Sequence, residues 1–199
     1  MTFFNQLVID NTQLRQFVSH TAGFKTFNRA EVVFQNSRVC LTVFSRGARL
    51  EHKFLELAIA CEPSDWQLSA IAQVCRSLLP PIPSFDQLEI RQSRKSWQDG
   101  MENVQWLELL QTFRSVRRLV LSSYKVVGLV APALQELARE SVIDLIPELQ
   151  ELFIKTTRSQ LVEPTKEAFG KFLAARKTAG RRVAVSNLVD NESGVQYVQ

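Results

Sequence analysis

The chain has 199 residues, of which 45% are hydrophobic and 22% charged, and it carries a net charge of +4. These proportions are ordinary for a soluble globular protein, and the sequence contains no charge-free apolar run of about 18 residues that would cross a membrane. The first ten residues lack the features of a secretory signal, and three scattered cysteines fit a reducing compartment, so we expect an intracellular protein, cytoplasmic or nuclear.

The first third of the chain predicts mainly strands. A short strand over Leu7–Ile9 precedes a helix that carries Leu14, Phe17 and Val18 on one face. Two strand-like runs, 31–34 and 38–44, are separated only by Gln35-Asn36-Ser37, which predicts a β-hairpin. A third run covers 54–61. No room remains for a helix in this segment, so the predicted return path is a strand.

Beyond residue 61 the chain alternates between helix and strand. Ser64-Asp65-Trp66-Gln67 has the spacing of a capping box and begins a helix that Pro80 ends. The elements predicted after it are strand 87–92, helix 104–113, strand 118–123, a loop over 124–128, a helix with Pro132 in its first turn, strand 151–155, a helix from Thr165 to a cap at Gly180, and strand 181–186. We therefore expect one domain over residues 1–188 and a flexible tail over 189–199.

One apolar skeleton recurs along these elements: a bulky residue, then Leu or Val three positions later, then a second apolar residue two further on. Its middle positions are Leu57, Leu88, Leu119, Leu152 and Val183, which are 31, 31, 33 and 31 residues apart. A short alternating strand at so regular a period is typical of stacked repeats. The sequence predicts an α/β fold, a leucine-rich-repeat-like solenoid with a parallel sheet on its concave face and helices on its convex face.

Side chains alternate along a strand, so the residues beside each apolar pair must lie on the face that the helices leave uncovered. We predict that this concave face binds a partner protein, with Val120 and Phe153 as its apolar centre. The predicted partner-binding residues are Glu56, Glu89, Arg91, Arg118, Val120, Ser122, Glu151, Phe153, Lys155, Arg182 and Ser186. A loop or tail that covers this face is the alternative.

Three basic clusters account for the positive charge: Arg91/Arg94/Lys95, Arg114/Arg117/Arg118 and Arg176/Lys177/Arg181/Arg182. We interpret them as a solvated rim balanced by the 20 acidic residues, and so do not expect nucleic acid as the partner. The alternatives are a basic module that binds nucleic acid or anionic lipid, and a truncated product without an independent function.

No motif predicts catalysis or a cofactor. The sequence lacks the Gly-x-Ser-x-Gly motif, a phosphate-binding glycine-rich loop and a paired-cysteine motif. Its two histidines, His20 and His52, have no neighbours at metal-ligand spacing. We therefore expect no catalytic residues, no metal and no cofactor.

Several segments resemble one family. Glu62–Ser69, Trp106–Leu110, Ala133–Leu137, Ile146–Gln150 and Phe172–Lys177 are similar to the leucine-rich-repeat portion of the large fungal group of F-box-like proteins. The resemblance runs from about Thr12 to Ser186 and implies a module in which the repeats select the substrate of a ubiquitin ligase. In that family an N-terminal F-box binds the adaptor of a cullin-type ligase. No F-box precedes the first repeat, so the adaptor is an expected partner only if one lies upstream of Met1.

Overall fold

The structure, a computed structural model, describes residues 16, 27–46, 51–60, 64–78, 85–93, 103–139, 146–156 and 161–187. Its strands are β1 (Phe27–Gln35), β2 (Arg38–Arg46), β3 (Glu51–Ala60), β4 (Gln87–Gln92), β5 (Arg118–Ser122), β6 (Glu151–Lys155) and β7 (Ala184–Asn187). Its helices are α1 (Ser64–Leu78), α2 (Asn103–Gln111), α3 (Tyr124–Arg139) and α4 (Glu163–Thr178). The strands form one sheet in the order β3-β2-β1-β4-β5-β6-β7. The predicted α/β class is confirmed, and the sheet is open and mostly parallel.

The first three strands form an antiparallel meander. The predicted hairpin is confirmed: β1 and β2 pair antiparallel across a two-residue turn at Asn36 and Ser37. The strand return is confirmed too, because β2 also pairs antiparallel with β3. The expected stacking of Leu57 in a parallel strand beside Leu88 is wrong. Leu57 lies opposite Leu41, in a cross-strand row that continues through Val32 to Ile90.

The parallel half begins where β4 pairs with β1. Leu88, Leu119 and Leu152 lie side by side in β4, β5 and β6, as the repeat predicted. The next position in this row is Val185, and the expected Val183 is wrong by two residues. Since side chains alternate with a period of two, this shift moves residues along the strand and leaves each on its predicted face.

Successive units of the parallel half share one backbone arrangement just before each strand. The carbonyl of Asp86 accepts hydrogen bonds from the amides of Arg117 and Arg118, at 3.0 and 2.9 Å. One unit later, the carbonyl of Arg117 accepts from the amides of Gln150 and Glu151, at 2.8 and 2.9 Å. The carbonyl at the equivalent position of each of these two units therefore joins that unit to the next.

A single layer of helices covers one face of the sheet, with α3 packed between α2 and α4 and with α1 beside α2. The outer positions of the repeat skeleton, Phe85, Val116 and Leu149, are buried as expected. Two further buried residues, Phe113 and Ile146, lie three positions before Val116 and Leu149 and extend the repeat beyond the predicted skeleton. Helix and strand side chains together form one apolar core.

Three helix predictions need correction. Val104, predicted on the buried face of α2, is 57% exposed. The loop predicted over 124–128 is helical, because α3 begins at Tyr124 directly after the strand, and Pro132 lies in its interior. A proline there removes the hydrogen bond to the carbonyl of Gly128, which usually breaks a helix. Contacts with both neighbouring helices keep α3 continuous.

The C-terminal end of α4 has the predicted glycine cap. Gly180 has a φ of 75°, and its amide and that of Arg181 donate to the carbonyls of Lys177 and Arg176, which is a Schellman motif. The start of α4 lies two residues earlier than predicted, at Glu163, with Pro164 in the first turn.

Arg176 was predicted in a solvent-facing basic cluster, and this is wrong. The side chain is buried, and its guanidinium donates to the carbonyls of Ile146, Pro147 and Leu149 at 3.2, 3.3 and 2.9 Å. It therefore ties α4 to the turn before β6 through three backbone carbonyls.

Other predictions lie outside the described residues. They concern the strand 7–9, the helix around Phe17, His20, Arg94 and Lys95, the prolines 80–83 and the tail 189–199; the side chain of His52 is outside them too.

Candidate partner-binding face

The outer face is defined here as the sheet face opposite the helices. Along each parallel strand the buried leucines and isoleucines face the helix layer, so the residues between them lie on the outer face. Cross-strand register then places Glu89, Val120, Phe153 and Ser186 in one row, with Arg118 and Glu151 in the row before it and Arg91, Ser122 and Lys155 in the row after it. The row of Glu89 continues through Glu31 and Thr42 to Glu56.

Ten of the predicted partner-binding residues thus share one face, as the alternation predicted. The eleventh, Arg182, is exposed but precedes β7 and has no place in the strand register. The ten residues are Glu56, Glu89, Arg91, Arg118, Val120, Ser122, Glu151, Phe153, Lys155 and Ser186.

Glu89 is the centre of an ion cluster on this face. Its carboxylate accepts from the guanidinium of Arg29 at 2.8 Å, from the Ser122 hydroxyl at 2.8 Å and from the Lys155 ammonium at 3.0 Å. These donors come from β1, β5 and β6, so one side chain on β4 links four strands. Only 5% of Glu89 is exposed.

The environment of Glu89 favours its ionised form. Burial alone raises the pKa of this carboxyl group. The hydrogen bonds from Lys155 and Ser122, with the charges of Lys155 and Arg29, outweigh burial and hold its pKa below the usual value for glutamate. Glu89 is therefore a fixed carboxylate rather than a group that exchanges protons near neutral pH.

A second ion pair lies next to this cluster. Arg91 pairs with Glu31, whose side chain is 10% exposed. Glu31 was not among the predicted residues, and neither were Arg29 and Phe44, whose ring lies 4.7 Å from the Arg29 guanidinium. The alternation of Arg29, Glu31 and Val33 with Ala30, Val32 and Phe34 could have identified Arg29 and Glu31. The alternation of Thr42 and Phe44 with Leu41 and Val43 could have identified Phe44.

Towards β7, Phe153 is the central apolar side chain of the outer face. The guanidinium of Arg118 lies 5.4 Å from the centre of its ring, and Nε of Arg118 donates to Glu151 at 2.6 Å. The cation–π contact with Arg118 stabilises the position of the ring. Phe153 is half-buried.

Val120, the other half of the predicted apolar centre, is only 3% exposed. The same holds for Val33, Cys40 and Thr42 on the β1–β2 side of the face. Val120 therefore contributes to packing, and Phe153 is the apolar side chain of the predicted centre that a partner can reach.

Within the described ranges, no three His, Cys, Asp or Glu side chains are grouped as a metal site would require. None of the helices described combines the length and apolar character needed to cross a lipid bilayer. No protein-family model matches the chain, and neither curated proteins nor solved structures contain a similar one.

Proposed function

We propose that this chain is a non-enzymatic protein–protein interaction module that binds its partner on the outer face, with Phe153 as the anchor. The observation that supports this most is the state of Phe153: a half-buried aromatic ring, stacked against Arg118 and flanked by the Arg118–Glu151 pair. Aromatic rings held by arginine and surrounded by polar groups are typical of interface hot spots.

The polar groups of the face support binding rather than chemistry. Glu89 is held ionised by three donors, and Glu31 is paired with Arg91. A general base near neutral pH needs a raised pKa and a free edge towards substrate, and Glu89 has neither of these properties.

We also propose which class of interaction module this chain belongs to. The units joined at the carbonyls of Asp86 and Arg117 support a leucine-rich-repeat-like solenoid whose sheet forms the concave side. With the sequence resemblance, this supports the substrate-recognition part of an F-box-like ubiquitin-ligase subunit. Co-purification of a cullin-ligase adaptor with the full-length gene product tests this extension separately.

The binding proposal is tested by affinity purification of the tagged chain, comparing the wild type with Phe153→Ser. Tyr124→Ser is the matched control, because Tyr124 is 50% exposed and begins α3 on the helix side. We expect the co-purifying proteins to be lost with Phe153→Ser and retained with Tyr124→Ser. Partners that survive Phe153→Ser and disappear with Tyr124→Ser would locate binding on the helix layer and contradict the proposal.

A further inference from the structure

The ion pairs of the outer face are asymmetric in their exposure. The side chain of Arg91 is 51% exposed and that of its partner Glu31 is 10% exposed. The Lys155 side chain is 33% exposed, whereas that of Glu89 is 6% exposed. Arg29, the second cation on Glu89, is 22% exposed. In each of these pairs the carboxylate is buried in the face and the cation lies nearer to the solvent.

The net charge of this cluster therefore differs from the charge that it exposes to solvent. Counted by residue, the cluster of Arg29, Glu31, Glu89, Arg91 and Lys155 is nearly balanced, yet an approaching molecule meets mainly guanidinium and ammonium groups. Arg118, 46% exposed beside Glu151 at 39%, adds a cation next to the Phe153 ring. The exposed cations dominate the potential that an approaching molecule meets, because they lie nearer to it than the buried carboxylates and the coulombic energy falls with distance.

We propose that the occupant of the outer face is an acidic polypeptide segment that places one apolar side chain on Phe153 and carboxylates on Arg118, Lys155 and Arg91. This inference rests on the proposed function and names the chemistry of its partner. Charge complementarity supports it, because exposed arginine and lysine recognise carboxylates. A polypeptide fits better than a nucleic acid, because it can place its carboxylates on the cations and away from Glu151, whereas phosphates repeat along the whole backbone of a nucleic acid.

The experiment is selection of a displayed library of random peptides on the full chain, followed by affinity measurements with the recovered peptides. We expect them to be rich in Asp and Glu around one apolar residue. Replacement of their acidic residues by Asn and Gln is expected to weaken binding about tenfold or more, and raising the salt from about 0.1 M to 1 M is expected to weaken it as well.

Variants of the chain locate the contact. Arg118→Gln is expected to weaken binding of the acidic peptides about five- to tenfold. Its matched control is Arg76→Gln, because Arg76 is exposed in the last turn of α1, on the helix side. Arg118 is a surface residue, so the substitution leaves the fold intact, which circular dichroism checks.

The outcomes separate the two proposals. Peptides that depend on Phe153 but keep their affinity without acidic residues would overturn the acidic partner and leave the binding face standing. If no peptide is recovered whose binding Phe153→Ser abolishes, both the binding face and the acidic partner would be overturned. Binding of homopolymeric RNA or phosphatidylserine vesicles that Arg118→Gln abolishes, with no acidic peptide recovered, would also overturn the acidic polypeptide.

Discussion

Glu31 and Glu89 lie directly opposite each other in the parallel pair of β1 and β4, and both are almost completely buried. Two like charges in this position destabilise a sheet unless cations compensate them. The compensation is reciprocal: Arg29 of β1 pairs with Glu89 of β4, and Arg91 of β4 pairs with Glu31 of β1. These diagonal pairs fasten the antiparallel meander to the parallel half of the sheet.

Glu89→Gln tests how much these ion pairs stabilise the fold. The substitution keeps the shape but removes the charge that Arg29 and Lys155 share, so we expect the free energy of unfolding to fall by about 1–3 kcal/mol in urea titrations at neutral pH. Glu148→Gln is the control, because Glu148 is exposed, and it should change stability by less than about 0.5 kcal/mol. Equal stability of both variants and the wild type would contradict the role of the cluster.

The pH dependence follows from the lowered pKa of Glu89. A carboxyl whose pKa is lower in the folded than in the unfolded chain stabilises the fold fully above the unfolded value, here about 4.5, and this contribution is lost as the pH falls towards the folded value. The stability difference between wild type and Glu89→Gln should therefore shrink below about pH 4.5. A difference that grows on acidification would contradict the sign of this shift.

Arg176→Met tests the buried arginine. The methionine keeps most of the apolar stem but removes the guanidinium that donates to the carbonyls of Ile146, Pro147 and Leu149, so we expect a loss of about 2–4 kcal/mol in the free energy of unfolding. Lys177→Met is the matched control, because Lys177 is adjacent and exposed. If chemical denaturation showed the two variants to be equally stable, the three hydrogen bonds would be dispensable.

Apolar alternation predicted the faces of the sheet but could not predict which strands are neighbours. Leu57 satisfies the same skeleton as Leu88, since a period of two is identical in parallel and antiparallel strands. The short hairpin turn at Asn36 and Ser37 decides the pairing, because it places β2 beside β1 and leaves β3 at the far edge, separated from β4 by two strands. The repeat period therefore identified a strand at Leu57 and gave it the wrong neighbours.

The errors at Val183 and Val120 have different causes. Val183 and Val185 both fit the alternating pattern, and the choice between them depends on the backbone pairing of β6 with β7, in which the Ala184 amide donates to the Gln150 carbonyl. Val120 lies on the predicted face, but burial depends on neighbours that are distant in sequence. The alternation along a strand therefore could not predict that Phe153 is exposed more than Val120.

Val120→Asp is expected to act on stability rather than on binding. A carboxylate at this position would be desolvated next to Glu89, so we expect a loss of at least about 3 kcal/mol in the free energy of unfolding. Phe153→Ser removes a half-buried ring and should cost clearly less. Thermal unfolding of the two variants checks the order, and a Val120→Asp protein as stable as wild type would contradict the burial of this position.

Ser123 joins β5 to α3 in a conformation that L-residues rarely adopt, with a φ of 130°. Its carbonyl accepts from the amide of Val127 at 3.0 Å, and its hydroxyl accepts from the amide of Val126 at 3.4 Å, so it also caps the helix. Ser123→Gly removes the strain, worth about 1–3 kcal/mol, at the cost of a few tenths for the cap. Ser123→Ala keeps the strain and loses the cap, so it should lower the free energy of unfolding by about 1 kcal/mol. Urea titrations should therefore rank the glycine variant at or above wild type and the alanine variant below it; a glycine variant less stable than wild type would mean that the cap outweighs the backbone strain.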